Sequence, residues 1–455
     1  MSRNKFAFAL LLSVTSMAML NMSCASAIEM PAGASTSATR SVTLQEALDM
    51  AQEHSVRLLI ASARSDAAQA GVDGARAAYL PKVQALAKTQ DYLDHRYTGY
   101  QNSLDEEAQA QVSLQYTVLD FGRRKADSSR TRLDKQSTDF AHAQETEDVR
   151  FETVRAYVDA ERYRRMLDVA RTNLEELTYL TSLMEERVKG GLSPDSELVR
   201  SRLALNNAQT RQKNLRQRYD QARLALRSLT GQSVINVPFE IDVDKGTRKL
   251  GALAGAAEDT NWALQSLKAQ AGSAQMAVER ASADRYPRVE LMTTYKMPFD
   301  SNIRSDMGMN IFLQISVDLF DGGLKRSRIS QAGATQREAD AQHELMRREI
   351  RSQVENLVVD AETAYEQWNL TRVGKEQAER TRQLYMDEFR LGTRSINDLI
   401  SAQNDAYAQG VENIDTQSNY LLSALGLYHI KGDTVVGLVD FGLVSGDSRT
   451  SATYQ

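Results

Sequence analysis

Four short stretches of the chain alternate between apolar and polar residues. Over 109–118, Ala110, Val112, Leu114, Tyr116 and Val118 share one face, and Gln111, Ser113, Gln115 and Thr117 share the other. That period of two is the signature of a strand with one buried side. Residues 307–319 repeat it with Met307, Met309, Ile311, Leu313, Ile315, Val317 and Leu319 against Asn310, Gln314, Ser316 and Asp318. Val289, Leu291, Thr293, Tyr295 and Met297 form a third such face, and 82–93 a weaker fourth. The pattern predicts strands at about 82–93, 109–119, 288–297 and 307–319, each near the roughly 10 residues that cross a bilayer when tilted.

Most of the remaining chain has the seven-residue rhythm of packed helices. From Val149 through Ala156, Tyr163, Ala170, Leu177 and Met184 to Val188, apolar and small residues recur at steps of three and four. The rhythm resumes from Leu198 through Leu205, Leu215 and Leu226 to Leu229, with Ser201 and Gln212 as its polar members. Ile350, Val354, Leu357, Ala361, Ala364 and Trp368 mark a third seam, and Tyr407, Val411, Ile414, Leu421, Leu425 and Tyr428 a fourth. Such seams predict coiled-coil packing, and their many Ala, Ser and Thr positions allow close approach.

The same order of features occurs twice, about 200 residues apart, which predicts a tandem duplication. Tyr79-Leu80-Pro81-Lys82-Val83 opens the first strand pair, VLDFGRR closes it at 118–124, and KGGLSPDSEL interrupts a helix at 189–198. The counterparts are Tyr286-Pro287-Arg288-Val289, DLFDGGLKR at 318–326 and LGTRSINDL at 391–399. Helices are expected over 43–78, 123–188, 196–229, 324–390 and 396–430. The two longest run roughly 100 Å at 1.5 Å per residue, far beyond the needs of a globular domain. Half-length helices stacked end to end would match them in a long antiparallel pile. Pro81 and Pro287 fall at helix-to-strand joints and Pro194 at a helix turn, so none of these interrupts a helix. The layout is a leader over 1–27, a linker over 28–42, a first repeat over 43–230, a linker over 231–260, a second repeat over 261–431 and a tail over 432–455.

Composition narrows the class. A chain of 455 residues exceeds one ordinary core, so it is multidomain or elongated. Its net charge of −5 gives no reason to expect nucleic acid as a partner. Arg3 and Lys5, the apolar run from Phe6 to Leu20 and the small residues Ala25-Ser26-Ala27 read as a secretory signal peptide. The run is short for a transmembrane anchor. A lipoprotein cut before Cys24 is the second reading, but Asn21 stands where such signals usually carry Leu. Removal of the leader takes Cys24 with it, which excludes disulfides and thiol chemistry from the mature chain.

Four amphipathic strands cannot close on themselves, and an open edge in lipid leaves backbone groups unpaired at several kcal/mol each. Several copies must therefore combine into a closed ring. Eight strands would be filled by side chains, whereas twelve or more leave a lumen. Pattern alone does not choose between three copies and four. The competing reading is two hairpins of a soluble domain, one side buried on a helix.

The duplicated plan, YLPKV and RYPRV before the strands, LDFG and LFDGG after them, and VKGGLSPDSEL and LGTRSINDL at the helix turns resemble the TolC family of outer-membrane efflux proteins. The resemblance covers about 40–432. It implies an α+β membrane protein in which a long antiparallel coiled-coil barrel carries a transmembrane β-barrel, built as a homotrimer with four strands per protomer. It further implies an outer-membrane location with a helical tunnel crossing the periplasm, and an equatorial belt formed by 231–260 and 432–455. The expected partners are a periplasmic adaptor (membrane fusion) protein, an inner-membrane ABC or RND transporter and outer-membrane lipid. The expected roles are type I protein secretion, multidrug efflux or both.

By the same resemblance the turns near 191–197 and 391–398 form a periplasmic gate. Arg394 and Asp398 match the family's arginine and first aspartate, and Glu197 takes the acidic position of the first-half turn. Phe389 stands where a tyrosine is frequent, and Ser401 where a second carboxylate can occur. Symmetry copies of Asp398 around a narrow axis would attract cations, with Arg394 holding the ring shut. The alternative is that Asp398 and Glu197 only favour the positive ends of the returning helices.

An enzyme is not expected. The histidines His54, His95, His142, His343 and His429 lack ligand spacing, and LFDGG lacks the lysine of a phosphate loop. No cofactor or metal is called for. Met292, Met297, Met307 and Met309 lie on expected strands, where packing explains them better than copper or silver handling. A periplasmic coiled-coil adaptor is the runner-up function, but adaptors need one helical hairpin and this chain has two, each with its strand pair.

Overall fold

The computed structural model describes residues 40–88, 109–236, 238–239, 255, 260–298 and 308–444. The expected leader, including Cys24, lies outside the described residues, as do most of 240–259 and the end of the tail. In chain order the elements are β1 (Arg40–Val42), α1 (Leu44–His54), α2 (Val56–Ala77), β2 (Lys82–Lys88), β3 (Gln109–Leu119), α3 (Arg123–Lys189), α4 (Asp195–Thr230) and β4 (Val234–Asn236). There follow α5 (Trp262–Ala283), β5 (Arg288–Pro298), β6 (Gly308–Ser316), α6 (Leu324–Arg390), α7 (Ile396–Lys431) and α8 (Thr434–Asp440). Among the described residues no helix is long and apolar enough to cross a membrane.

The helices form one layer. At the end near the sheet the neighbours run α2, α3, α5, α6, and at the other end α4, α3, α7, α6. The 67-residue helices α3 and α6 span both halves, each about 100 Å long. Shorter helices complete the layer end to end, α2 with α4 beside α3 and α5 with α7 between α3 and α6. Packing on two sides explains why α3 buries more than its expected seam: Ala156, Ala160 and Leu177 are covered, and so are Val154, Tyr157, Val158 and Leu180. Helices α4 and α6 stand at the margins and bury one stripe each, as with Ala208, Leu215 and Leu226 on α4.

Polar residues set the register between helices. Gln403 of α7 donates to Asn173 of α3 at 2.9 Å, and both are buried. Lining up a buried amide pair this way penalises any slip, which would leave both groups unsatisfied. The largest apolar cluster lies where the short helices meet, and gathers Tyr157, Leu226, Tyr420, Leu425, Tyr428 and Phe441. Here β1 pairs in parallel with β4, Arg40 opposite Val234, and the Tyr157 hydroxyl donates to the carbonyl of Val42 at 2.9 Å.

Strands β2, β3, β5 and β6 form an antiparallel sheet in that order. The register puts Val83, Leu114, Thr293 and Ile311 in one row and Ala85, Val112, Tyr295 and Met309 in another. Directly paired residues share a face, so within the paired segments the expected apolar residues of all four strands, Val118 apart, fall on one side. Lys82, Gln115, Met292 and Phe312 occupy a row of the other side. Met292 and Met309 are thus on opposite faces and do not cluster.

Several local expectations need correction. The helix expected over 43–78 is two, because Ser55 adopts an extended conformation and caps α2, its Oγ accepting from the Leu58 amide at 3.4 Å. The apolar face of β3 does not run through Val118. A bulge between Thr117 and Leu119 sets Leu119 opposite Val289, and Val118 is the extra residue. The last strand ends at Ser316 rather than 319, leaving Leu319 93% exposed. The chain must already turn there: Gly322 and Gly323 have φ of 64° and 91°, and Asp321 accepts from the Gly323 and Lys325 amides at 2.9 and 2.8 Å to start α6. Strand β2 is described as far as Lys88, and 89–93 lie outside the described residues.

Candidate functional site

The two helix turns sit together at the end of the layer away from the sheet. Leu180 and Met184 of α3, Ala204 of α4, Met386 of α6 and Leu399 and Ile400 of α7 form one apolar cluster beneath them. Each turn ends its long helix the same way. In the first, Gly191 has φ of 69° and the Leu192 amide reaches back to the Arg187 carbonyl at 2.8 Å. In the second, Gly392 has φ of 79° and the Thr393 amide reaches the Glu388 carbonyl at 3.0 Å. This helix stop needs a left-handed residue, which glycine supplies without strain.

Matching the turns aligns Glu197 with Asp398. Each is the third residue of its helix, close to the unpaired amides where a carboxylate is favoured. The Asp398 amide donates to Ser395 Oγ at 3.2 Å, and the Glu197 amide to the Pro194 carbonyl at 3.1 Å.

Arg394 lies in the turn itself. Its Nε donates to Glu388 Oε2 at 2.8 Å, whereas Asp398 Oδ2 is 4.0 Å from Nη1. The guanidinium also stacks 4.1 Å above the centre of the Tyr385 ring. The hydrogen bond with Glu388 is the main reason its pKa is raised above the ordinary arginine value. Arg394 is therefore held by three groups, and Glu388 is the nearest carboxylate.

Phe389 is buried beside Met386, and the Arg187 guanidinium lies 5.4 Å from its ring centre. Arg187 Nε in turn donates to Ser193 Oγ at 3.2 Å. Both turns thus carry a cross-turn pair six residues apart, Arg187 with Ser193 and Glu388 with Arg394, with the arginine on opposite sides of the turn. Glu388, Tyr385, Arg187 and Ser193 were not singled out in the sequence. Overlaying the two repeats residue by residue exposes the shared spacing, but nothing in one repeat alone marks it.

The model of the outer membrane efflux protein family matches residues 47–232 and 253–433. The chain is 26% identical over 304 residues to Protein CyaE of Bordetella pertussis, an alignment covering 64% of this chain and 63% of that protein. It is 22% identical over 418 residues to the outer membrane protein TolC of Vibrio cholerae, covering 87% of this chain and 92% of that one. The crystal structure of the outer membrane protein VceC from Vibrio cholerae superposes with a TM-score of 0.75 at 19% identity, over 86% of this chain and 96% of that one. Likeness at that identity establishes the fold. The chain belongs to the outer membrane efflux protein family, whose members are outer-membrane channels and not enzymes.

Proposed function

We propose that the chain is one subunit of a homotrimeric export duct, with its strands in the outer membrane and its helices crossing the periplasm. The observation that carries this is the sheet: four strands place most of their apolar residues on one face, and among the described residues β2 and β6 have no partner on their outer edges. In lipid those edges must be paired by other copies. Three copies give a twelve-stranded barrel wide enough for a lumen. The long helices then form the wall of a tunnel about 100 Å deep. The chain's own role is passive conduction, and energy comes from an inner-membrane ABC or RND transporter joined through a periplasmic adaptor protein. Type I protein secretion, multidrug efflux or both are the cargo classes. A leader without the usual lipobox leucine favours a secretion or shared duct over a dedicated drug channel.

At the far end Arg394, Glu388 and Asp398, with Glu197 and Phe389 nearby, form the gate. Membrane fractionation and gel migration with and without heating test the duct, with a trimer in the outer-membrane fraction as the expected result. A mature chain that is soluble and monomeric sinks the proposal. Co-purification of an adaptor and a transporter from crosslinked cells tests the partners.

A further inference from the structure

The two faces of the sheet differ in charge. The register puts Lys82, Gln115 and Met292 in one row, Thr117, Glu290 and Gln314 in a second, Gln111 and Lys296 in a third, and Arg288 with Ser316 in a fourth. These rows are even numbers of residues apart along the strands, so they share the polar side. Among the described side chains of the four strands the charged ones are Lys82, Arg288, Glu290 and Lys296. All of them fall on this side. Leu86 and Phe312 lie there too, but the opposite face carries no described charge.

The acids on this side are buried and already used, as buried charges must be. Glu290 is 7% exposed, Gln115 Nε2 donates to its Oε2 at 3.2 Å, and Arg288 Nη1 lies 3.5 Å from its Oε1. Arg288 thus offsets its charge. At the foot of the face a cavity of about 200 Å³ is lined by Lys82, Gln115, Asp120, Arg124, Arg288 and Glu290. Asp120 is 9% exposed and taken by Arg124, whose Nε donates to it at 2.8 Å. Lys82 is exposed, and neither it nor Lys296 has an ion-pair partner among the described residues. The surplus charge of the face is therefore positive and rests on these two lysines.

Spacing makes the cations act together. Lys82 is level with Met292 through Gln115, midway between Arg288 and Lys296. Each step of four residues is about 14 Å along the strand, or about 10 Å along the axis of a barrel whose strands tilt by about 40°. That matches the Debye length of about 10 Å at 0.1 M salt, so neighbouring levels reinforce one another. The helix turns are at the far end of α3 and α6, about 100 Å away. Carboxylates there are screened from this section.

Resting on the duct reading, we propose that the strand section of the duct favours anions, with Lys82 and Lys296 setting its charge specificity and carboxylate-bearing cargo as the class it draws in. In lipid the uncharged apolar face turns outwards, which turns the cationic face to the lumen. Three copies repeat each lysine around the water-filled space, and rings of Lys or Arg favour anions in a pore. Fixed charge in a passage with low-dielectric walls raises the local concentration of the opposite ion. The duct then has two charge filters in series, acidic at the helix turns and basic between the strands.

Reversal potentials of the full chain in planar bilayers under a potassium chloride gradient test the assignment. Lys82→Gln combined with Lys296→Gln should move the reversal potential towards that of potassium, and Lys82→Glu with Lys296→Glu should move it further. Lys82→Arg with Lys296→Arg keeps the charge and should keep the wild-type value. The shift should shrink at about 1 M salt, where the Debye length falls to about 3 Å. Citrate on both sides should reduce the wild-type chloride current and have less effect on the glutamine variant. A glutamine variant with the wild-type reversal potential overturns the proposal, and so does equal inhibition of both proteins by citrate. Wild-type protein that inserts no channel at all instead sinks the duct reading itself.

Discussion

Arg394 and Glu388 are joined across the turn between α6 and α7 by an Nε hydrogen bond of 2.8 Å, shorter than the 4.0 Å from Arg394 to Asp398. The pair is partly exposed, so solvent screening keeps its contribution modest, and its role is to bias the turn rather than lock it. Arg394→Ala and Glu388→Gln should each raise single-channel conductance or open time in planar bilayers. The double substitution should add little to either single one, because both remove the same contact. Additive effects would place Arg394's constraint on Asp398 or another copy instead.

Asp398 and Glu197 occupy equivalent helix-start positions, and the gate and capping roles make different demands on them. A ring of Asp398 carboxylates predicts that Asp398→Asn weakens cation selectivity, read as a shift of reversal potential in a salt gradient. A purely local role at the helix terminus predicts a stability loss of about 0.3–1 kcal/mol and unchanged selectivity.

Glu147 of α3 is buried and paired with Arg150 at 2.6 Å, and it accepts from the Thr434 amide at the start of α8 at 3.1 Å. Glu147→Ala leaves a covered arginine and a covered amide without their acceptor. A loss of about 2–4 kcal/mol is expected in denaturant unfolding. Glu147→Gln keeps an acceptor and should lose less.

Gly432 closes α7 with φ of 83°, and a Cβ there would press on the Trp262 ring, 2.8 Å from Cδ1. Gly432→Ala combines left-handed backbone strain with overpacking, a loss of about 2–4 kcal/mol. Gly392→Ala has the same backbone strain at φ of 79° but open space around it. Thermal unfolding should rank Gly432→Ala as the more damaging.

Burial pushes the Asp148 carboxyl up, but hydrogen bonds from His429 at 3.2 Å and Gln144 at 2.8 Å outweigh it and leave the carboxyl below its usual range. A depressed value in the folded chain contributes stability above the unfolded aspartate pKa of about 3.9 and loses it as pH falls through the folded value. Asp148→Asn should therefore lower the melting temperature near neutrality. The gap from wild type should shrink below about pH 4.

Period decided most of the architecture. Alternation at steps of two located the strands, and steps of three and four located the long helices, because these spacings decide which side chains can be covered together. The duplicated glycine-bearing turns fixed where the helices reverse, since few other residues adopt positive φ without strain. Ser55, whose capping role competes with an otherwise continuous helical rhythm, was legible only once the break was seen. The bulge at Val118 was hidden for a related reason: one extra residue shifts which neighbour shares a face, and only the partner strand reveals it.

The sequence by itself determined the duplicated helix and strand plan, the amphipathic strands and the acidic helix starts. Tertiary structure decided the partners: Glu388 for Arg394, Asn173 for Gln403 and the Thr434 amide for Glu147. Local spacing reports which residues of one element share a side. Which side of another element meets it depends on packing between segments hundreds of residues apart, and no single helical or strand period encodes that.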